Sequence, residues 1–282
     1  MNQKLPDNST RTIAFIGGGN MALSLIGGLV ADGYDAKKII ASDKNPDQLA
    51  SLSARFGTRS AADNKQAAEG ADVVVFAVKP QILESVAREL SALIEARRPL
   101  VISIAAGIRE KSLATWLGGD VPLVRTMPNT PAMIQAGATV LHANNQVTRE
   151  QRDLAETILR AVGLTCWVDD ESLLDVVTAL SGSGPAYFFL VMEAMEQAGL
   201  ELGLPADSAR LLTLQTALGA SRMAMESNEG PAVLRQKVTS PGGTTERALE
   251  IFEEGGLKAI FKNAITAAKE RSEELSQILG KA

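Results

Sequence analysis

Six residues in the second half of the chain, Ser240 to Thr245 (SPGGTT), have the types and order needed to bind a small anion. Ser240 is a good N-cap and Pro241 suits the first helical position, so a helix start here needs nothing more. Each of the two glycines costs about 1 kcal/mol relative to alanine inside a helix. They would, however, let an anion approach the unpaired N–H groups and the positive end of the helix dipole. A tight turn that only needs flexible backbone angles is the alternative, and the segment alone leaves both interpretations open.

A glycine-rich turn near the start of the chain has the pattern that binds a diphosphate. Gly17, Gly19 and Ala22 in FIGGGNMA fit G-x-G-x-x-G/A. In this motif the first position permits a tight turn, the second lets the backbone approach a pyrophosphate, and the third lets the helix pack close to the strand. An apolar strand precedes the turn and a helix from about Asn20 to Ala31 follows it. The sequence therefore predicts dinucleotide binding here rather than an ordinary strand–turn–helix.

An acidic residue stands where such a motif commonly contacts the adenosine ribose. The segment KKIIASD reads as a second strand ending at Asp43, and Asp43 follows Ala22 by 21 positions (43 − 22). This is near the spacing expected for a carboxylate that accepts from the ribose 2′-hydroxyl. We therefore predict that Asp43 lies at the cofactor.

Three further loops follow predicted strands, where ligands of open α/β sheets bind. They are Lys79-Pro80-Gln81, Ala105-Ala106-Gly107 and the MPNTP segment at 127–131. Pro80 is explained equally well as the first residue of a helix. In MPNTP two prolines enclose Asn129 and Thr130 in a stiff frame, and we expect these polar groups to face the ligand crevice.

The elements that position these loops alternate between strands and helices. Apolar strands are predicted from Thr12 to Ile16 and up to Asp43, then at 71–78, 100–106 and 122–127. Strands that are apolar on both faces are typical of a parallel sheet covered by helices on both sides. The sequence thus predicts an α/β fold whose N-terminal part is a Rossmann-type, doubly wound, mostly parallel sheet.

After TCWVDDES the pattern is helical only, so we place the domain boundary near residue 168. A break at Gly182 is expected, with Ser183 capping a helix that runs to about Leu202; further helices are predicted at 205–227, 231–238, from SPGG to 254, and at 257–279. The helix from Ser183 is apolar on all sides, which indicates burial on all sides. A helical domain of this size could hardly enclose it alone, so we expect a second subunit to cover it.

Composition excludes several other classes of protein. The net charge of −5, without a basic stripe, argues against nucleic acid or anionic lipid as the main partner. One cysteine, Cys166, and one histidine, His142, make metal sites and catalytic triads poor hypotheses, and fit a reducing cytoplasm. The first eleven residues are polar and lack a signal-peptide core, and the apolar stretches look too short to cross a bilayer. We therefore expect a cytoplasmic protein that acts on a small molecule, without nucleic acid, membrane or metal.

Six motifs in one order resemble a known family. FIGGGNMA, AVKPQ, SIAAG, RTMPNTP, LSGSGPAY and VTSPGGTT together are similar to the pyrroline-5-carboxylate reductases over nearly the whole chain. The resemblance implies reduction of 1-pyrroline-5-carboxylate to L-proline with NADPH or NADH, the final step of proline biosynthesis. It also implies homodimers that interlock through the helical domain and commonly form decamers. Residues 1–168 would then bind the dinucleotide, and residues 169–282 would bind substrate and dimerise.

The resemblance assigns roles to individual residues. The substrate carboxylate is expected at Ser240, Gly243, Thr244 and Thr245, with the Thr245 hydroxyl bonded to the ring nitrogen as the catalytic group; Asn129 is a further substrate-binding candidate. Cofactor-binding candidates come from the glycine turn, the end of the second strand and the later loops. They are Gly17, Gly18, Gly19, Asn20, Met21, Ala22, Ser42, Asp43, Lys44, Asn64, Ala77, Val78, Lys79, Ala105 and Ala106.

The choice between the two cofactors stays open. Asp43 favours the free 2′-hydroxyl of NADH and repels the 2′-phosphate of NADPH. Ser42, Lys44 and Asn45 could accommodate that phosphate if Asp43 points away.

Two other functions share parts of the pattern. A β-hydroxyacid dehydrogenase also joins such a domain to a helical one, but it uses a lysine within a second-domain helix, and 183–202 contains none. A non-catalytic dinucleotide sensor would have the same first domain, yet it would not need the SPGGTT anion site.

Overall fold

The computed structural model describes residues 11–280. The polar N-terminal segment that argued against a signal peptide therefore lies outside the described residues, except for Arg11. By packing, the chain divides into two compact units. One extends to Ser183 and includes the chain from Ala268 onward, and the other is Gly184–Ala267.

The first unit is built on one sheet of eight strands in the order β3-β2-β1-β4-β5-β6-β7-β8. The strands are β1 (Ile13–Ile16), β2 (Ile39–Ser42), β3 (Arg59–Ser60), β4 (Val73–Phe76), β5 (Leu100–Ser103), β6 (Leu123–Met127), β7 (Gly137–Ala143) and β8 (Gly163–Trp167). β1 to β6 pair in parallel, β7 is antiparallel to β6, and β8 is parallel to β7. The order of the first six is that of a dinucleotide-binding sheet, which confirms the predicted fold class.

Helices cover both faces of this sheet. Those of the first unit are α1 (Asn20–Ala31), α2 (Pro46–Phe56), α3 (Asn64–Ala68), α4 (Pro80–Arg97), α5 (Glu110–Trp116), α6 (Arg149–Arg160) and α7 (Leu173–Val177). Side chains of alternating strand positions form two separate buried clusters, with Phe15 in one and Phe76 in the other. Strands β1, β2, β4 and β5 are buried at all four positions, which is why they read as continuous apolar segments.

A π-helix, Thr178–Gly182, follows α7 and leads directly into α8 (Gly184–Glu201). The predicted break at Gly182 with Ser183 as N-cap was wrong. Ser183 has helical backbone angles, and its N–H donates to the Thr178 carbonyl at 2.8 Å. The inserted residue widens one turn without ending the helix.

The helix is consequently longer than the apolar stretch suggested by the sequence. Leu173–Glu201 is a continuous segment of 29 residues, long and apolar enough by length and composition to cross a membrane. A helix whose apolar side chains pack against another subunit satisfies the same two criteria.

The second unit contains only helices among its described residues. They are α8, α9 (Ala206–Glu226), α10 (Pro231–Lys237), α11 (Thr244–Glu254) and the first part of α12 (Leu257–Leu279). The predicted spans of α9, α10 and α12 agree with these bounds to within one residue at each end. The packing division after Ser183 lies 15 residues beyond the predicted boundary at 168 (183 − 168), because α7 and the π-helix after it pack with the first unit. The end of α12 belongs to that unit as well.

Candidate functional site

The glycine turn between β1 and α1 has the geometry that its sequence predicts. Gly17 has a φ of +104°, and a Cβ there would lie 2.6 Å from the Ala77 carbonyl oxygen, so only glycine fits. A Cβ on Gly19 would meet nothing within 4 Å. The side of the turn at Gly19 is thus open to a ligand.

The start of α1 leaves backbone donors available beside Gly19. Gly19 is the N-cap and supplies no side-chain cap, and the Leu23 N–H is the donor that bonds to the Gly19 carbonyl, at 2.9 Å. The first-turn N–H groups at Asn20, Met21 and Ala22 precede it. An open glycine face beside helix-terminal N–H groups fits the diphosphate of NADPH or NADH.

Two residues, one at the end of β2 and the next along the chain, accept hydrogen bonds from the glycine turn. The Gly17 N–H donates to the Ser42 carbonyl at 2.8 Å, and the Gly18 N–H donates to Asp43 Oδ2 at 2.7 Å. The other Asp43 oxygen accepts from the Asn45 N–H at 2.8 Å. Asp43 therefore lies next to the predicted cofactor turn, with its carboxylate directed at the protein backbone.

Ser42 and Asn64 form a short chain of polar side chains beside this turn. The Ser42 hydroxyl is buried and donates to Asn64 Oδ1 at 2.9 Å, while Asn64 Nδ2 donates to Glu89 Oε2 at 3.1 Å. Ser42 thus orients Asn64. Glu89 was missed by the sequence reading, since an exposed carboxylate within α4 carries no motif.

The other predicted cofactor residues lie at the ends of neighbouring strands. Ala77 follows β4 directly, and its N–H donates to the Ile16 carbonyl at 2.8 Å. Lys79 is the N-cap of α4 and makes no side-chain cap, while Lys44 is exposed just beyond β2. Val78 and Ala106 are half-buried, whereas Ala105 is buried. β1, β4 and β5 are neighbouring parallel strands, so the loops that follow them lie together at the carboxyl ends of these strands.

Asn129 lies after β6 and is engaged within the protein. Its Nδ2 donates to the Ser181 carbonyl at 3.1 Å, and its Oδ1 accepts from the Ala138 N–H at 2.9 Å. An amide side chain has two donors and two lone pairs, so one of each remains for a ligand. The two bonds link the MPNTP segment to the π-helix and to β7.

The SPGGTT segment differs from its predicted form. α11 begins at Thr244 with Gly243 as N-cap, so the prediction that Ser240 caps the helix was wrong. Ser240 to Gly243 form a turn in which the Gly243 N–H donates to the Ser240 carbonyl at 3.0 Å. Gly242 has a φ of +71°, a conformation that favours glycine. One glycine is therefore explained by the turn itself.

The first turn of α11 nevertheless keeps unpaired backbone donors in the described unit. Gly243 offers no side-chain cap, and the first helical bond runs from the Arg247 N–H to the Gly243 carbonyl at 3.2 Å. The N–H groups of Thr244 and Thr245 precede it, and both side chains are exposed. Glu246, which the sequence reading did not single out, accepts from the Gly242 N–H at 2.6 Å. Its position three residues after the N-cap was the available signal.

A buried ionic network within the first unit includes Arg109, which follows the predicted cofactor loop at 105–107. Asp175 bonds Arg109 at 2.5 Å and accepts from the Ser272 hydroxyl at 2.7 Å. Arg125 pairs with Glu171, and burial lowers the pKa of Arg125 while that carboxylate opposes the shift. The lone histidine, His142, lies in β7 with Nδ1 3.2 Å from the Val168 carbonyl, as expected for a residue near a strand end. No cluster of metal-ligating side chains occurs among residues 11–280.

Comparisons with known proteins agree over nearly the whole chain. The family described as pyrroline-5-carboxylate reductase dimerisation matches residues 171–275, and the family described as NADP oxidoreductase, coenzyme F420-dependent, matches residues 12–107. A pyrroline-5-carboxylate reductase from Pseudomonas aeruginosa is 51% identical over 272 residues, covering 96% of this chain and 99% of the relative.

Solved structures give the same result. A pyrroline-5-carboxylate reductase from Coxiella burnetii has a TM-score of 0.92 at 48% identity, covering 94% of this chain and 98% of the other. A pyrroline carboxylate reductase from Plasmodium falciparum, with NADP bound, has a TM-score of 0.84 at 28% identity. That alignment covers 95% of this chain and 99% of the other.

Proposed function

Because the chain belongs to the pyrroline-5-carboxylate reductase family, we propose how its own residues carry out that family's reaction. The protein reduces 1-pyrroline-5-carboxylate to L-proline by hydride transfer from NADPH or NADH, the final step of proline biosynthesis. The relationship over nearly the whole chain carries this conclusion. We assign dinucleotide binding to residues 1–168, and substrate binding with dimerisation to residues 169–282.

The glycine turn and the strand-end loops hold the cofactor. Gly17 to Ala22 provide the open face and N–H groups for the diphosphate. Asn64, oriented by Ser42, faces the adenosine ribose together with Lys44, and the segments 77–79 and 105–106 line the remainder. When bound, NADPH or NADH supplies the hydride that reduces the C=N bond of the substrate.

The start of α11 holds the substrate carboxylate. The N–H groups of Thr244 and Thr245, with the Ser240 hydroxyl, stabilise its negative charge at the positive end of the helix dipole. The Gly243 N–H is occupied by the Ser240 carbonyl, so Gly243 contributes room for the ligand rather than a donor. Asn129 offers its remaining donor and lone pair to the substrate.

The Thr245 hydroxyl is the group that bonds the ring nitrogen. A neutral hydroxyl orients the imine without adding charge, so the acceptor carbon stays electrophilic. The chain otherwise contributes binding and orientation, which together account for much of the rate in such a reaction. This role distinguishes a reductase from a dinucleotide sensor.

The exposed apolar side chains of α8 serve self-association. The dimerisation family matches residues 171–275, a range that includes α8 with its exposed apolar side chains. We propose a homodimer that assembles further into a decamer, located in the cytoplasm. The large apolar surface of α8 then serves subunit contact rather than a membrane, and the net charge of −5 disfavours nucleic acid.

The decisive experiment measures cofactor oxidation. Purified protein should oxidise NADPH or NADH only in the presence of 1-pyrroline-5-carboxylate, with proline as the product. Oxidation that does not depend on this imine, or none with either cofactor, would refute the proposal.

A further inference from the structure

Ser42, the last residue of β2, and Asp43, which follows it, both bond to the glycine turn. The Ser42 carbonyl accepts from the Gly17 N–H, and Asp43 Oδ2 accepts from the Gly18 N–H at 2.7 Å. The second oxygen of Asp43 accepts from the Asn45 N–H. Two consecutive glycines are thus anchored to the end of β2 and the residue after it, and Gly19 is left open toward the ligand side.

Three glycines in a row are costly to hold in one conformation. Glycine loses more backbone entropy on ordering than any other residue. A loop that is disordered before binding must be ordered by the ligand, and that cost is subtracted from the affinity. A carboxylate that bonds a backbone N–H is a strong, charge-assisted anchor. Asp43 can therefore fix the turn before the dinucleotide arrives.

An acid at the end of β2 is usually interpreted as a ligand of the ribose diol. Here both carboxylate oxygens already accept from backbone N–H groups. We propose that Asp43 is a positioning residue for the diphosphate turn, which raises the affinity for the part that NADPH and NADH share. Asp43 does not determine the relative affinity for NADPH and NADH. The inference rests on the proposed dinucleotide function.

Calorimetric titration with NADPH and NADH tests this role in the full-length protein. Asp43→Ala, which removes the acceptor of the Gly18 N–H, should raise both Kd values by at least about tenfold, the lower end of what losing a hydrogen bond to a charged group produces. The ratio of the two Kd values should stay within about twofold of the wild type, because a shared contact is lost. Asp47→Ala, the same substitution four residues later on α2, is the matched control and should change neither.

Other roles for Asp43 give different results. If Asp43 were a ribose ligand, Asp43→Ala would lose NADH affinity selectively; if it were a purely structural residue, the variant would have a lower Tm without a change in either Kd. Either result would overturn the inference. Binding by the wild-type protein is measured in the same series without substrate. If the wild type binds neither dinucleotide, the proposed function fails; if it binds both and only the ratio shifts in the variant, this inference alone fails.

A measurement on the unaltered protein applies even if Asp43→Ala does not fold. With ¹⁵N-glycine labelling, the Gly18 amide of the ligand-free protein should exchange at least about tenfold more slowly than the Gly19 amide, because only the former is hydrogen-bonded. Equal exchange rates at the two glycines would show that the anchor is absent.

Discussion

The Ser272 hydroxyl donates to the Asp175 carboxylate at 2.7 Å, joining residues 97 positions apart in the sequence. Both residues are buried, and the same carboxylate bonds Arg109 at 2.5 Å. Arg109 is the N-cap of α5, two residues after Gly107. The end of α12 is therefore fixed to the loop after β5 by one buried carboxylate.

The first prediction follows from this bond. Ser272→Ala should lower the free energy of unfolding by roughly 1.5 kcal/mol, because a buried hydrogen bond to a charged acceptor is lost. Ser276→Ala is the matched control, since Ser276 is equally buried on the same helix but donates to the Ser272 carbonyl. Its loss should cost less, because a serine that bonds back to the carbonyl four residues earlier in its own helix adds little to stability. Urea unfolding measures both; equal losses would contradict a specific role for Asp175.

The second prediction concerns pH. Trp167 Nε1 donates to Glu156 Oε2 at 3.0 Å, and this bond, helped by Arg160, lowers the pKa of Glu156. A carboxylate whose pKa is lowered by folding stabilises the fold above its unfolded value, and that stability is lost as the pH falls through the folded value. Glu156→Gln should therefore be less stable than the wild type at pH 7, with the difference shrinking below about pH 4.

Urea unfolding at several pH values measures this difference, with Trp167 fluorescence as the local signal. Asp153→Asn, on the same helix, is the control for removing one negative charge. A difference between Glu156→Gln and the wild type that is constant down to pH 3, on the order of one pH unit below the usual carboxyl pKa, would refute the assignment.

The elements with a regular pattern were predictable, and the local exceptions were not. α1 agrees with its predicted span because a glycine turn and an apolar strand define where it begins. β8 was not predicted as a strand, since its side chains alternate between half-buried and exposed positions at the sheet edge. The π-helix at 178–182 joins two helices where glycine and serine suggested a break. Sequence spacing does not encode a widened helical turn.

The residues of the candidate site show the same contrast between features that the sequence predicted and features that it did not. Spacing identified Asp43 but could not show where its carboxylate points, because that depends on the Gly18 N–H across the turn. Ser240 has the right side chain for an N-cap, yet the positive φ of Gly242 delays the helix to Thr244. At Asp43 and at Ser240, the backbone geometry of the neighbouring glycines therefore decided the role of the side chain.

The third prediction tests the cofactor turn by comparing two glycines. Gly19→Val should abolish measurable binding of NADPH and NADH while the fold survives, since its Cβ meets no protein atom within 4 Å. Gly17→Val should instead destabilise the protein, because its Cβ would lie 2.6 Å from a backbone oxygen at positive φ. Calorimetric titration and thermal unfolding separate the two effects. Unchanged affinity in Gly19→Val would remove the dinucleotide assignment at this turn.

The fourth prediction concerns the α8 surface. Phe188, Phe189 and Leu190 are 62%, 65% and 65% exposed in the single chain. Light scattering at low micromolar concentration should give at least twice the chain mass of 29.8 kDa. Phe189→Glu should reduce that mass, because a buried unpaired charge opposes association. Leu164→Glu is the control, with a similarly exposed apolar side chain on β8. A stable, active wild-type monomer would exclude the proposed homodimer.

The fifth prediction concerns Thr245 and its neighbours. Thr245→Val keeps the shape of the side chain and removes its hydroxyl. If that hydroxyl bonds the ring nitrogen, hydride transfer should slow by about ten- to 150-fold, the equivalent of roughly 1.5–3 kcal/mol. Thr244→Val is the matched control, since it also removes an exposed hydroxyl but keeps the backbone N–H. Its rate should remain within about threefold of the wild type, as expected for a loss below 1 kcal/mol.

Ser240→Ala separates carboxylate binding from chemistry at the same helix start. It should raise KM more than it lowers kcat, because the hydroxyl holds the substrate carboxylate in both the ground and transition states. Stability should change little, since Gly243 rather than Ser240 is the N-cap of α11.

For Thr245→Val, a deuterium isotope effect with labelled NADPH establishes whether hydride transfer limits the rate. If Thr245→Val then turns over the imine at the wild-type rate, its hydroxyl has no chemical role, and SPGGTT provides only the turn and the carboxylate site.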